Sequence, residues 1–140
     1  MSAENKAVVR RVLEAFNQGN LDEGAKYFAA GYVWHGPGLE VHGPEGWKQV
    51  AGMYKSAFPD AVCTVDDQIA EGDTVATRFT ARGTHRGELA GVAASGRHVT
   101  VPCLTIDRIV NGKIVEEFEV FDQLGMFQAI GTLPALPASV

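Results

Sequence analysis

With 140 residues and 46% hydrophobic content, the chain suffices for one domain, residues 1–140, with its own core and has no room for a second. A net charge of −5 without a Lys/Arg cluster argues against nucleic acid as a partner, since that affinity comes mainly from neutralised phosphates. No stretch could span a bilayer, and the charged, amphipathic MSAENKAVVRRVLEAF lacks a signal-peptide core, so a soluble cytoplasmic protein without membrane contact is expected.

In chain order, Val8, Val9, Val12, Leu13 and Phe16 recur at helical spacing, Gln18-Gly19-Asn20 supplies a stop, and Leu21 to Phe28 reads as a second helix. Gly31 to His35 is a short aromatic strand, and Gly36-Pro37-Gly38 opens a loop running through His42-Gly43-Pro44. Glu45 to Phe58 returns to helical spacing with Trp47, Val50, Met53, Tyr54 and Phe58 apolar, and Pro59 ends it. The period then becomes two, giving four β segments: Ala61 to Ala70, Thr74 to His85, Arg97 to Val110 and Lys113 to Asp122. Glu71-Gly72-Asp73 and Asn111-Gly112 are hairpin turns, Arg86 to Gly96 is a longer connection, and the tail LPALPASV reads as a loosely held end. Helices first and a strand meander afterwards indicate an α+β fold with helices on one face of an antiparallel sheet. Cys63 and Cys103 sit in no CxxC and no short-range ligand pattern, so they read as ordinary buried thiols and no metal is expected.

Along the last strand, Ile114, Glu116, Phe118, Val120 and Asp122 share one face, and Val115, Glu117, Glu119 and Phe121 share the other. Neither face is cleanly apolar, which fits a curved sheet whose concave side encloses a cavity. That cavity is expected to hold Phe118, Val120 and Asp122, a mostly apolar pocket with one carboxylate. Asp122 also precedes a helix-like run from Gln123 to Ile130, so a helix N-cap is its alternative role.

The stretches AFPD (57–60), IAEGDTVATRFTARGTHRGE (69–88), SGRHV (95–99) and DRIVNGKIVEEFEVFDQLGMFQAIG (107–131) resemble the SnoaL-like polyketide cyclase (ester cyclase) family of the nuclear transport factor 2-like superfamily. The resemblance implies a cone-shaped domain in which a curved antiparallel sheet and three N-terminal helices enclose a deep pocket, paired as a homodimer through the sheet. It implies an aspartate matching Asp122 as general acid/base in an intramolecular aldol ring closure without metal or cofactor. Burial in an apolar pocket would raise the pKa of that carboxyl toward a useful range. One strand back, where the anthracycline-ring cyclases place polar groups including a histidine, the sequence presents Ile106 and Arg108, and a cation there would favour the ionised carboxylate instead.

His35, at a strand end, is a further candidate donor or base, and Trp34, Trp47, Tyr54 and Phe118 are candidates to stack on a polycyclic substrate. His85 of GTHRG suits a turn as well as a site, Arg78 and Arg82 share a strand face, and Glu116-Glu117 reads as surface. Phe16, Phe28, Trp34, Trp47, Tyr54 and Phe118 suggest a small hydrophobic ligand, and Val115 and Phe121 suggest the dimer face. Two classes of function stay open. One is a cofactor-free enzyme that cyclises, isomerises or hydrates a small hydrophobic carbonyl compound, with an epoxide hydrolase as a variant. The other is a non-catalytic ligand-binding or dimerisation module.

Overall fold

The computed structural model describes residues 2–132; Met1 and the tail LPALPASV lie outside the described residues. Helix α1 (Ser2–Asn17) buries Val8, Val9, Val12 and Ala15, the stripe its spacing demands. Helix α2 (Leu21–Ala25) is capped by Asn20, whose Oδ1 accepts from the Glu23 N–H at 3.3 Å. It is shorter than the spacing suggests, because Phe28 pairs with Ile114 and opens strand β1 (Phe28–Gly36). Strand pairing there overrides a helical pattern. After Pro37-Gly38 the chain turns back as β2 (Leu39–His42), a short edge strand within the expected loop. Helix α3 (Gly43–Ala57) follows, with Pro44 in its first turn, where the missing N–H is not needed.

Strands β3 (Val62–Glu71), β4 (Thr74–Thr84), β5 (His98–Val110) and β6 (Lys113–Phe121) form the meander, and helix α4 (Gln123–Ala129) closes the described chain. Asn111 (φ 51°) and Gly112 (φ 75°) are both left-handed, as the tight turn between β5 and β6 requires. The six strands lie in the order β2-β1-β6-β5-β4-β3 in one curved, open sheet. Its antiparallel character needs one correction, since β1 runs parallel to β6. The two are joined by a long crossover rather than a hairpin, which is what permits a parallel pair.

Strand β5 alternates strictly: Val99, Val101, Cys103, Thr105, Asp107 and Ile109 are buried, and their neighbours are exposed. Strand β6 does not. Ile109 pairs with Ile114 but Arg108 pairs with Glu116, so Val115 is an extra residue, a β-bulge. The bulge reverses the parity beyond it. Glu117, Glu119 and Phe121 therefore line the inner side with Ile114, while Glu116, Phe118 and Val120 face outward. Two core clusters result: one around Tyr32, Trp34, Val75 and Ile114 beneath α1, the other around Phe58, Phe79, Val101, Met126 and Ile130. No helix among the described residues is long and apolar enough to cross a membrane.

Candidate active site

Both core clusters contribute walls to one cavity of about 180 Å³ inside the cone. Leu13 and Phe16 of α1, Trp47 and Tyr54 of α3, Trp34 of β1, Phe121 of β6 and Met126 of α4 supply apolar surface. Into this wall project Glu117 and Glu119 from β6 and Thr105 and Asp107 from β5. Register aligns them, because Thr105 is the direct cross-strand partner of Glu119 and Asp107 that of Glu117. Strand β1 supplies the donors: Trp34 Nε1–H donates to Glu119 Oε1 at 3.0 Å, and the Tyr32 hydroxyl donates to Glu117 Oε1 at 2.5 Å.

Three carboxyls in an apolar wall are electrostatically expensive to ionise together. Burial, reinforced by the charge of Glu117 and opposed by the Trp34 hydrogen bond, pushes the Glu119 carboxyl up to about 8. Burial and then Glu117 hold the Asp107 carboxyl well above the ordinary range. Burial also raises Glu117, against the lowering effect of the Tyr32 hydrogen bond and of the adjoining Asp107 carboxyl. The Tyr54 phenol is raised by burial and then by Glu119, so it stays a neutral donor. The Cys63 thiol, which borders the same cavity, is pushed by burial up to about 12, which disfavours its thiolate. Among the described residues no group of three or more His, Cys, Asp or Glu is arranged to hold a metal ion.

The residues expected in the site divide sharply. Trp34, Trp47 and Tyr54 line the cavity. Asp122 does not: it is exposed, its Oδ1 accepts the Gly125 N–H at 2.9 Å, and it caps α4. Phe118 (51% exposed), Val120 (63%) and Ile106 (47%) stand on the outer face, the first two because the bulge at Val115 reverses the parity. Arg108, exposed and paired with Glu116, stands there too, so it cannot act on the cavity. His35 is also outside: its Nε2 lies 2.9 Å from Glu116 Oε2, its Nδ1 lies 3.2 Å from Glu40 Oε1, and its ring stacks on Phe118 with centroids 4.3 Å apart. Phe28 is core rather than cavity wall, and Arg78 and Arg82 are exposed, although Arg82 borders the cavity.

Glu117, Glu119 and Asp107 are the groups that sequence reasoning missed. Asp107 was legible, since the regular alternation of β5 puts it on an apolar face. For the glutamates the signal was two acids two residues apart in an otherwise apolar strand, and only the bulge decides which side they take.

A family model described as SnoaL-like polyketide cyclase matches residues 6–130. The chain is similar to aklanonic acid methyl ester cyclase DnrD of Streptomyces peucetius, at 32% identity over 130 residues covering 89% of this chain and 88% of that one. Among solved structures, AclR of Streptomyces galilaeus, a candidate hydroxylase, superposes with a TM-score of 0.89 at 30% identity, covering 99% of this chain and 92% of that one. IdmH of Streptomyces antibioticus, a candidate polyketide cyclase, gives a TM-score of 0.80 at 34% identity, covering 91% of this chain and 98% of that one.

Proposed function

The chain belongs to the SnoaL-like polyketide cyclase family, and we propose that it closes a ring in a small, hydrophobic, polyketide-like carbonyl compound by intramolecular aldol addition, with Glu119 as acid/base and no cofactor. The observation that carries this reading is the Glu119 carboxyl, set in an apolar cavity and oriented by Trp34, with its pKa raised to about 8. A base poised near the working pH is what proton abstraction from carbon needs. Ionised Glu119 takes a proton from a carbon flanked by carbonyls, and the C–H electron pair becomes an enolate. The enolate carbon then bonds to a ketone carbon of the same molecule, and the resulting alkoxide takes the proton back from Glu119. Atoms balance, so product and substrate are isomers. The Tyr54 hydroxyl lines the cavity and has no hydrogen-bond partner among the described residues, which suits it to donate to the enolate oxygen.

The test is incubation with a methyl ester of the aklanonic acid class, the class in the names of the curated relatives. An isobaric, ring-closed product formed equally well with a chelator is the expected result. A product one oxygen atom heavier, or conversion that stops when the chelator is added, would contradict it.

We further propose that two chains pair through the outer face of the sheet. The residues first suggested for that face need correction, because Phe121 points into the cavity. The support lies in two exposed cross-strand pairs, Leu104 with Val120 and Ile106 with Phe118, a contiguous apolar patch of the kind that marks interfaces. Sedimentation at micromolar concentration is expected to give twice the 15.0 kDa chain mass, and a species of 15.0 kDa would count against the pairing. The proposed setting is the cytoplasm, in keeping with two free thiols.

A further inference from the structure

The ring closure proposed for Glu119 gives no task to the two neighbouring carboxyls of Asp107 and Glu117. Asp107 and Glu117 face each other across β5 and β6, and Asp107 is 0% exposed. Neither Asp107 oxygen has a hydrogen-bond partner of normal geometry among the described residues, whereas Glu117 accepts from the Tyr32 hydroxyl. Among the described residues the titratable groups around the pair are all acids: Glu119 beside them on β6, Tyr32 on β1, Tyr54 on α3, and the Cys63 and Cys103 thiols on β3 and β5. Among the described residues the one cation bordering the cavity is Arg82, which pairs with Thr100, seven residues along β5 from Asp107 and thus about 23 Å away.

Two adjacent carboxylates buried without a cation cannot both stay ionised. A single proton resolves both problems, since the Asp107 O–H then donates to the Glu117 carboxylate and Tyr32 donates to the same anion. We propose that Asp107 and Glu117 share one proton and act as a positioning pair for Glu119, holding one fixed negative charge beside it that strengthens it as a base. This rests on the reading of Glu119 as acid/base. Neither member of the pair is assigned a contact with the reacting carbon. The largest influences agree: after burial, Glu117 is the main factor raising both Asp107 and Glu119.

The test is carboxyl-13C NMR titration of the full chain, labelled at Glu or at Asp, without substrate. In the unaltered protein Asp107 is expected to be protonated at pH 7 and Glu117 ionised. Glu117→Gln, which keeps an acceptor for Tyr32, is expected to lower the Glu119 midpoint by about one pH unit or more. Asp107→Asn leaves the charge on Glu117 and the midpoint in place, and the double variant behaves like Glu117→Gln. An ionised Asp107 at pH 7, or a Glu119 midpoint indifferent to Glu117→Gln, would overturn the proposal. The first of these needs no variant, so a misfolded mutant cannot obscure the outcome. Because the titration is read without turnover, a failure of the pair is separate from a failure of the cyclase reading, which would show as no isobaric product from a protein with the expected titrations.

Discussion

Glu119→Gln is expected to stabilise the protein in mildly alkaline solution and to leave its stability in acid unchanged. The folded carboxyl, held by burial at about 8, keeps its proton while the unfolded chain, with a pKa of about 4.3, gives it up. Between those two values the unfolded state binds fewer protons than the folded one, so stability falls as pH rises, and above the folded value the full penalty stands. Gln cannot ionise and escapes that penalty, while its amide oxygen still accepts from Trp34 Nε1. The gain should therefore begin near pH 4, grow through neutrality and level off above pH 8, at a few kcal/mol by order of magnitude. Denaturant unfolding of both proteins at pH 4, 7 and 9 measures it. A variant less stable than the parent at pH 9 would mean that Glu119 is stabilised as an anion and that its environment has been misjudged.

Gly87→Ala is the other large effect, in the opposite direction and away from the cavity. The Arg86 and Gly87 N–H groups both donate to the Ala57 carbonyl, at 3.0 and 3.1 Å, which clamps the β4–β5 connection onto the end of α3. A Cβ on Gly87 would lie 2.3 Å from the Ser56 carbonyl oxygen and 3.1 Å from its carbon. Backbone atoms at a helix end cannot yield that far, so the connection would have to lift, together with the buried His85 and Leu89. A loss of about 2 to 3 kcal/mol follows, or a fall in Tm of roughly 8 °C or more. Gly31→Ala is the control, because its Cβ would meet nothing within 4 Å, and it should change stability by no more than about 0.5 kcal/mol. Equal melting of parent and Gly87→Ala would show that the clamp does not hold the fold together.

That clamp also explains what the family-like motifs encode. Asp60 of AFPD accepts from the Thr84 N–H at 2.7 Å and from its hydroxyl at 2.8 Å. His85 of GTHRG is fully buried, with its Nδ1 receiving the Ser95 N–H at 3.1 Å. Such residues build the frame, and so the frame was readable from them: the meander, the two hairpin turns and the three leading helices. The acids of the cavity wall were harder to place, because the side they take depends on one inserted residue. A period of two is reliable only while the ladder is unbroken, and the bulge at Val115 exchanges the faces of every residue after it. Phe118, Val120 and Asp122 thereby trade places with Glu117, Glu119 and Phe121. Asp122 kept its alternative reading as a helix cap because that role depends on a local pattern, Gln123 to Ile130, which the bulge does not touch.

Whether the proton is moved by Glu119 inside the cone or by Asp122 at its rim is decided by measuring kcat for Glu119→Gln and Asp122→Asn on one ring-closing substrate. A loss of roughly 100-fold or more is expected for Glu119→Gln. A change of no more than about twofold is expected for Asp122→Asn, since asparagine caps a helix about as well as aspartate. The reverse order, with Asp122→Asn inactive and Glu119→Gln near full rate, would contradict the role of Glu119 as acid/base.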